Sequence, residues 1–216
     1  MEEGRLIAQN MQHAGLTHSK TILPMIHALL DGLGMTAADV DKIAVAKGPG
    51  SFTGIRIGVA TAKGLAWALD KPLIGVSTLE AMAHQAKHLG QGLITPVMDA
   101  RRAQVYNALF RADGDKLIRL TEDRAIAIED LFVGDAPLGV PPSDTHLLVG
   151  DGATLCYEYL QTINIPAVIL PEHLVQQTAW GVAMAAMDLP GEEPGAVNPD
   201  YLRLSQAERE RLEKQS

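Results

Sequence analysis

The stretch that most constrains the fold is the junction at residues 42–58. A short apolar run, 42–46, opens into Gly48-Pro49-Gly50 and passes at once into a long apolar segment, 55–69. A buried strand that enters a glycine-rich turn and then a helix is the opening of an α/β layer. The same change of period recurs with a strand at 73–76 and a helix to about 89, which predicts parallel pairing with helices packed on the sheet. Ser77-Thr78-Leu79-Glu80 between them reads as a capping box, the Ser77 hydroxyl accepting from the Glu80 N–H while Glu80 reaches back. Upstream, 5–11 reads as a strand and Thr17-His18-Ser19 as an N-cap. Ile22, Ile26, Leu29 and Leu33 then recur at helical spacing, with Leu23 and Leu30 as a second apolar row, until Gly32 and Gly34 end the pattern.

After residue 92 the pattern becomes strands in sequence, 93–98, 104–110 and 116–120, which predicts a second unit. A Pro-rich connector at 137–143 leads to a strand at 146–149, a Gly150-Asp151-Gly152 turn, a helix over 153–160 and another over 178–187. The tail after 204 is charged and expected to be solvated. The division is therefore 1–91 and 92–216, with the helix at 178–188 expected to pack back on the first lobe. With 216 residues, 47% hydrophobic and 20% charged, the chain has the composition of a soluble globule. Its one cysteine, Cys156, excludes an internal disulfide and fits a reducing, cytoplasmic setting. No apolar run approaches the ~18 residues of a membrane span. A net charge of -8 argues against gripping a phosphate backbone unaided.

The loop at 48–54 could receive an anion at a helix N-terminus through Gly48, Gly50, Ser51 and Thr53, but it lacks the Gly-Lys-[Ser/Thr] ending of a Walker loop, and a tight structural turn is the favoured reading. His84 and His88 have metal-ligand spacing without a third ligand, and are expected at an exposed helix end. Ser51, Ser77 and Cys156 lie in no recognisable nucleophile motif. Asp99, Arg101 and Arg102 read as a solvated hairpin with local ion pairs, an interdomain or ligand contact being the alternative. Two helices carry more apolar surface than one sheet face requires: Ile22, Ile26, Leu29 and Leu30 on the first, and the flat row Gly54, Gly58, Ala62 and Ala66 on the second. The first is expected to be covered on more than one side, by its own sheet with a partner as the further candidate, and the flat row lets another backbone approach closely.

Three segments resemble one family: 47–58 together with Ala62-Lys63-Gly64-Leu65-Ala66, 72–80, and Asp99-Ala100-Arg101-Arg102 with Val105-Tyr106. The match is to the TsaB (YeaZ) family of bacterial tRNA threonylcarbamoyladenosine biosynthesis proteins, and His18-Ser19 and Tyr201-Leu202-Arg203 extend it. The resemblance implies an actin/Hsp70/sugar-kinase-like (ribonuclease H-like) two-lobed fold. It also implies a non-catalytic subunit that pairs with the catalytic paralogue TsaD through the first two helices, so that a leucine at Gly58 is expected to block docking, joined by the ATPase TsaE, with tRNA met only through the complex and a homodimer through the same helices as the other pairing. ATP would be used by the complex; no cofactor or metal is assigned to this chain. The paralogue's two metal-binding histidines correspond here to Thr78 and Met82. The family pattern begins with a strand ending in Asp-Thr-Ser and a second strand, neither of which is seen here. The competing expectations are a small-molecule kinase or ATPase on the same fold and, behind it, a peptidase.

Overall fold

The computed structural model describes residues 1–12, 18–90, 92–131 and 143–203. The connector at 137–142, the tail from 204, Thr17 and His13 lie outside them. The first lobe contains helix α1 (His18–Gly32), strand β1 (Ile43–Gly48), helix α2 (Phe52–Leu69), strand β2 (Leu73–Ser77) and helix α3 (Thr78–Ala86). β1 and β2 pair in parallel, Ile43 opposite Leu73 and Ala46 opposite Val76. Ser51 caps α2 by accepting from the Gly54 N–H, and Ser77 caps α3 by accepting from the Glu80 N–H. The expected reciprocal bond is not made, because the Glu80 carboxylate turns instead to Arg119 at 2.8 Å.

The segment at 5–11 is not a strand. Its only ladder contact is an isolated Glu2–Arg5 bridge, and a strand without a hydrogen-bonded neighbour has nothing to hold its backbone extended. Among the described residues the first lobe's sheet therefore has two strands.

The second lobe is built around β3 (Leu93–Arg101). On one side β8 (His146–Val149) and then β9 (Ala167–Ile169) run parallel to it; on the other lie antiparallel β4 (Gln104–Asn107) and β5 (Phe110–Asp113), extended by β7 (Arg124–Ala127) and β6 (Lys116–Arg119). The expected single strand at 104–110 is split, and Pro96 explains why. The Leu93 N–H donates to Thr145 on the β8 side, so by alternation residue 96 would donate to the other side, where proline has no N–H. The ladder breaks there, and the Asn107 side-chain amide donates to the Pro96 carbonyl at 2.9 Å instead. Helix α4 (Ala153–Thr162) buries Cys156 and Leu160 against Val97, Val105 and Leu148. A short helix α5 (Glu172–Val175) precedes α6 (Ala179–Ala186).

Helix α3 is shared between the lobes. Leu79, Met82, Ala83 and Ala86 join Ile94, Met98 and Phe110 in one core. Ala81 joins Ile74, Val76, Ala185 and Ala186 in another, which places α6 on the β1–β2 sheet. Gly181 makes this possible, since a Cβ there would stand 2.2 Å from the Ala81 carbonyl oxygen.

Candidate functional site

Two glycine turns converge on the C-terminal end of β3. Gly48, at φ +135°, leaves room for the Asp200 carbonyl oxygen, 2.3 Å from where a Cβ would stand. Gly150, at φ +115°, leaves room for the Val97 carbonyl at 2.1 Å. Both turns are thus used for close backbone packing, as the turn reading of the 48–54 loop requires. Of the four candidate anion contacts, Gly48 is buried, Gly50 faces Met98, and Ser51 and Thr53 are exposed.

The segment after α6 straps these parts together. Glu192 bridges to Leu73, and Lys63 Nζ donates to the Gly195 carbonyl and to Asn198 Oδ1, each at 3.2 Å. The Asp200 N–H donates to Lys47 at 2.7 Å. Tyr201 stacks on Phe52 with centroids 4.3 Å apart, while Arg56 Nε donates to the Tyr201 hydroxyl at 2.8 Å and lies over the Phe52 ring at 3.9 Å. Arg203 then donates to the Ala100 carbonyl in the β3 turn. Arg56, Lys63 and Arg203 are engaged in holding this strap. Sequence reasoning missed the strap; its one signal was Tyr201-Leu202-Arg203, unreadable without knowing that Phe52 and Arg56 lie beneath it. The Asp99–Arg101 ion pair at 3.0 Å is local, as expected for a hairpin, and Asp151 also accepts from the Asp99 N–H.

At the start of α3, Ser77 Oγ donates to Asp123 at 2.5 Å, and Arg119 joins Asp123 at 2.6 Å and Glu80 at 2.8 Å. Burial alone would lower the Arg119 pKa, but the bonds and charges of Asp123 and Glu80 outweigh it and hold the guanidinium above its ordinary value. This network ties the start of α3 to the end of β6.

Thr78 and Met82 are both buried. The Met82 methyl lies 2.4 Å from where a Cβ on Gly150 would stand, so this thioether fills the core beneath the turn. A hydroxyl and a thioether offer no strong ligand for a hard or borderline divalent metal, and among the described residues no group of three His, Cys, Asp or Glu is placed to hold one. His84 is not at an exposed end: it is half-buried, its Nδ1 has no hydrogen-bond partner, and burial lowers its pKa. His88 is exposed. Cys156 is buried and its thiol pushed up to about 12, which makes it inert.

The helix faces require a correction. Ala62 and Ala66 are buried against Leu73 and Val197, and Gly58 faces Val45, whose Cγ2 would lie 3.9 Å from an added Cβ. Gly54 packs on Ser51 of its own N-cap. The flat row thus faces side chains of the chain's own sheet and cap. The outward side of α2 carries Ala60, Gly64 and Trp67; Trp67 is 59% exposed, and nothing lies within 4 Å of an added Cβ at Gly64. On α1, Ile22, Ile26, Leu29 and Leu30 are half-buried, Leu23 is 50% exposed, and no described side chain of the helix is fully buried.

A family model described as "TsaD: tRNA N6-adenosine threonylcarbamoyltransferase" matches residues 12–171. The tRNA threonylcarbamoyladenosine biosynthesis protein TsaB of Bacillus subtilis is 34% identical over the whole of this chain and 92% of its own length. The chain belongs to the TsaB (YeaZ) family. Escherichia coli TsaB is 39% identical over half of the chain and 48% of its own length. YeaZ from Pseudomonas aeruginosa superimposes with a TM-score of 0.75 at 27% identity, covering 94% of this chain and 92% of that one. The fold is accordingly the actin-like, ribonuclease H-like α/β arrangement shared by TsaB and its paralogue. Among the described residues no helix is long and apolar enough to cross a membrane.

Proposed function

We infer that this chain acts in tRNA threonylcarbamoyladenosine biosynthesis as a non-catalytic, cytoplasmic subunit that docks on the catalytic paralogue TsaD. The observation that carries the reading is the seat of Met82: where the paralogue holds its metal, this chain packs an apolar side chain against Gly150. The docking surface is the outward side of α1 and α2, with Leu23, Gly64 and Trp67 exposed on it. A homodimer would use the same surface. TsaE and tRNA join through the complex, which uses ATP, and the acidic chain leaves most of the tRNA-facing basic surface to its partners. The test is size-exclusion chromatography with light scattering of the chain mixed with TsaD from the same source. A stable mixed complex that is lost on Gly64→Arg, with the far-UV spectrum unchanged, supports the reading. A mixture that stays separate, or a complex indifferent to Gly64→Arg, refutes it. Leucine at Gly58 is the less informative variant, because that position faces Val45 of the chain's own sheet.

A further inference from the structure

Arg56, Ala60, Gly64 and Trp67 are all exposed and recur on α2 at helical spacing, so they form one outward ridge. Arg56 and Trp67 stand about 16 Å apart along it, with Ala60 and Gly64 as a low saddle between them. An ordinary surface arginine samples many rotamers in water. Arg56 does not. Its guanidinium carbon lies 3.9 Å from the Phe52 centroid and 5.6 Å from that of Tyr201, and its Nε donates to the Tyr201 hydroxyl at 2.8 Å. The two rings are stacked within 24° of parallel. Tyr201 is itself fixed, because its neighbours Asp200 and Arg203 bond to Lys47 and to the β3 turn. The head group is therefore held by its face and by one nitrogen. What remains is a set of donors: the N–H groups of both terminal nitrogens, and the Tyr201 O–H, whose oxygen accepts from Arg56. Among the described residues none of these donors has an acceptor, and no carboxylate forms an ion pair with Arg56.

We propose that Arg56, aimed by Phe52 and Tyr201, is the polar anchor of the docking face and receives a side-chain carboxylate of the catalytic paralogue. This rests on the proposed docking to TsaD and adds to it one contact and its chemistry. Donors gathered without an acceptor select an acceptor-only group, and the two oxygens of a carboxylate meet a planar fork through two parallel bonds. Preorganisation strengthens the pair, since the entropy of fixing the arginine is already lost in the free chain. Arginine, tyrosine and tryptophan around a small-residue saddle also have the composition of an interface hot spot. Charge adds direction. On a chain of net charge -8, an uncompensated cation on the docking face orients an acidic partner surface that the rest of the molecule repels. Tyr201 is a positioning residue, acting through the guanidinium it holds.

The test is a binding titration of the full chain against TsaD from the same source at low and high salt. Arg56→Gln is expected to weaken the complex about thirtyfold at low salt and to flatten its salt dependence. Arg56→Lys should recover only a small part, because an ammonium keeps the charge and loses the fork. Tyr201→Phe keeps the ring stack, removes the hydroxyl and should cost about fivefold. Arg203→Ala frees the far end of the strap and should leave affinity within about twofold, which separates the anchor from a structural role of the strap. Among Asp→Ala and Glu→Ala variants of TsaD, one should show a loss that is not additive with Arg56→Gln. An affinity indifferent to Arg56→Gln, or an equal loss on Arg203→Ala, overturns the anchor while docking to TsaD stands. No complex with the natural chain overturns both. Saturable binding of inorganic phosphate to the chain alone, abolished by Arg56→Gln, assigns the fork to a free anion and overturns the proposal. So does a homodimer of the chain alone that Arg56→Gln disperses, since the carboxylate then belongs to a second copy.

Discussion

His146 should make the fold acid-sensitive in a defined window. It lies on β8, 4% exposed, with Nδ1 2.9 Å from Thr95 Oγ1. Burial pushes its pKa down to about 4 from the ordinary 6.5, against a smaller upward pull from Asp144. In the folded state the ring is therefore neutral down to about pH 4, whereas the unfolded chain takes up a proton near 6.5. Between those values the unfolded state binds more protons, so stability falls as pH drops through the window and is fully present above it. At about 1.4 kcal/mol for each pKa unit, the full loss is about 3 kcal/mol, a large fraction of a domain's ~5–15 kcal/mol. Urea unfolding followed by circular dichroism at pH 7.5, 6.5, 5.5 and 4.5, on the natural chain and on His146→Gln, isolates this contribution. Contributions from groups remote from His146 are common to both proteins and cancel in the difference. The stability advantage of the natural chain should shrink by about 2–3 kcal/mol from the highest pH to the lowest. An advantage constant to within about 0.5 kcal/mol across the series would refute a buried neutral imidazole.

Three other perturbations follow from the same packing. Gly150→Ala drives a methyl onto the Val97 carbonyl at a positive φ and should cost about 3 kcal/mol or more in urea unfolding; a change below about 1 kcal/mol would mean the turn relaxes freely. Arg119→Ala leaves Asp123 and Glu80 without their shared cation and should cost about 1–3 kcal/mol, the lower part of that range reflecting solvent screening of the Glu80 pair; Arg119→Lys should restore only part of it, because one ammonium cannot span both carboxylates as a fork. Cys156 should resist a thiol reagent at pH 8 in native buffer and react completely in urea, and rapid native labelling would contradict its burial under α4.

The strand–turn–helix order, the two caps and the division into an alternating and a meandering part were legible because each rests on local period and local hydrogen bonding. What was not legible depends on which neighbour a face meets. Gly54, Gly58, Ala62 and Ala66 announce that something approaches α2 closely, but a sheet of the same chain and a partner helix make identical demands on side-chain size. Only the placement of Leu73 and Val197 decides for the sheet. The strand misread at 5–11 fails for the complementary reason: its residues are suited to a ladder, yet extended structure is a property of pairs, and a suitable sequence without a neighbour stays irregular.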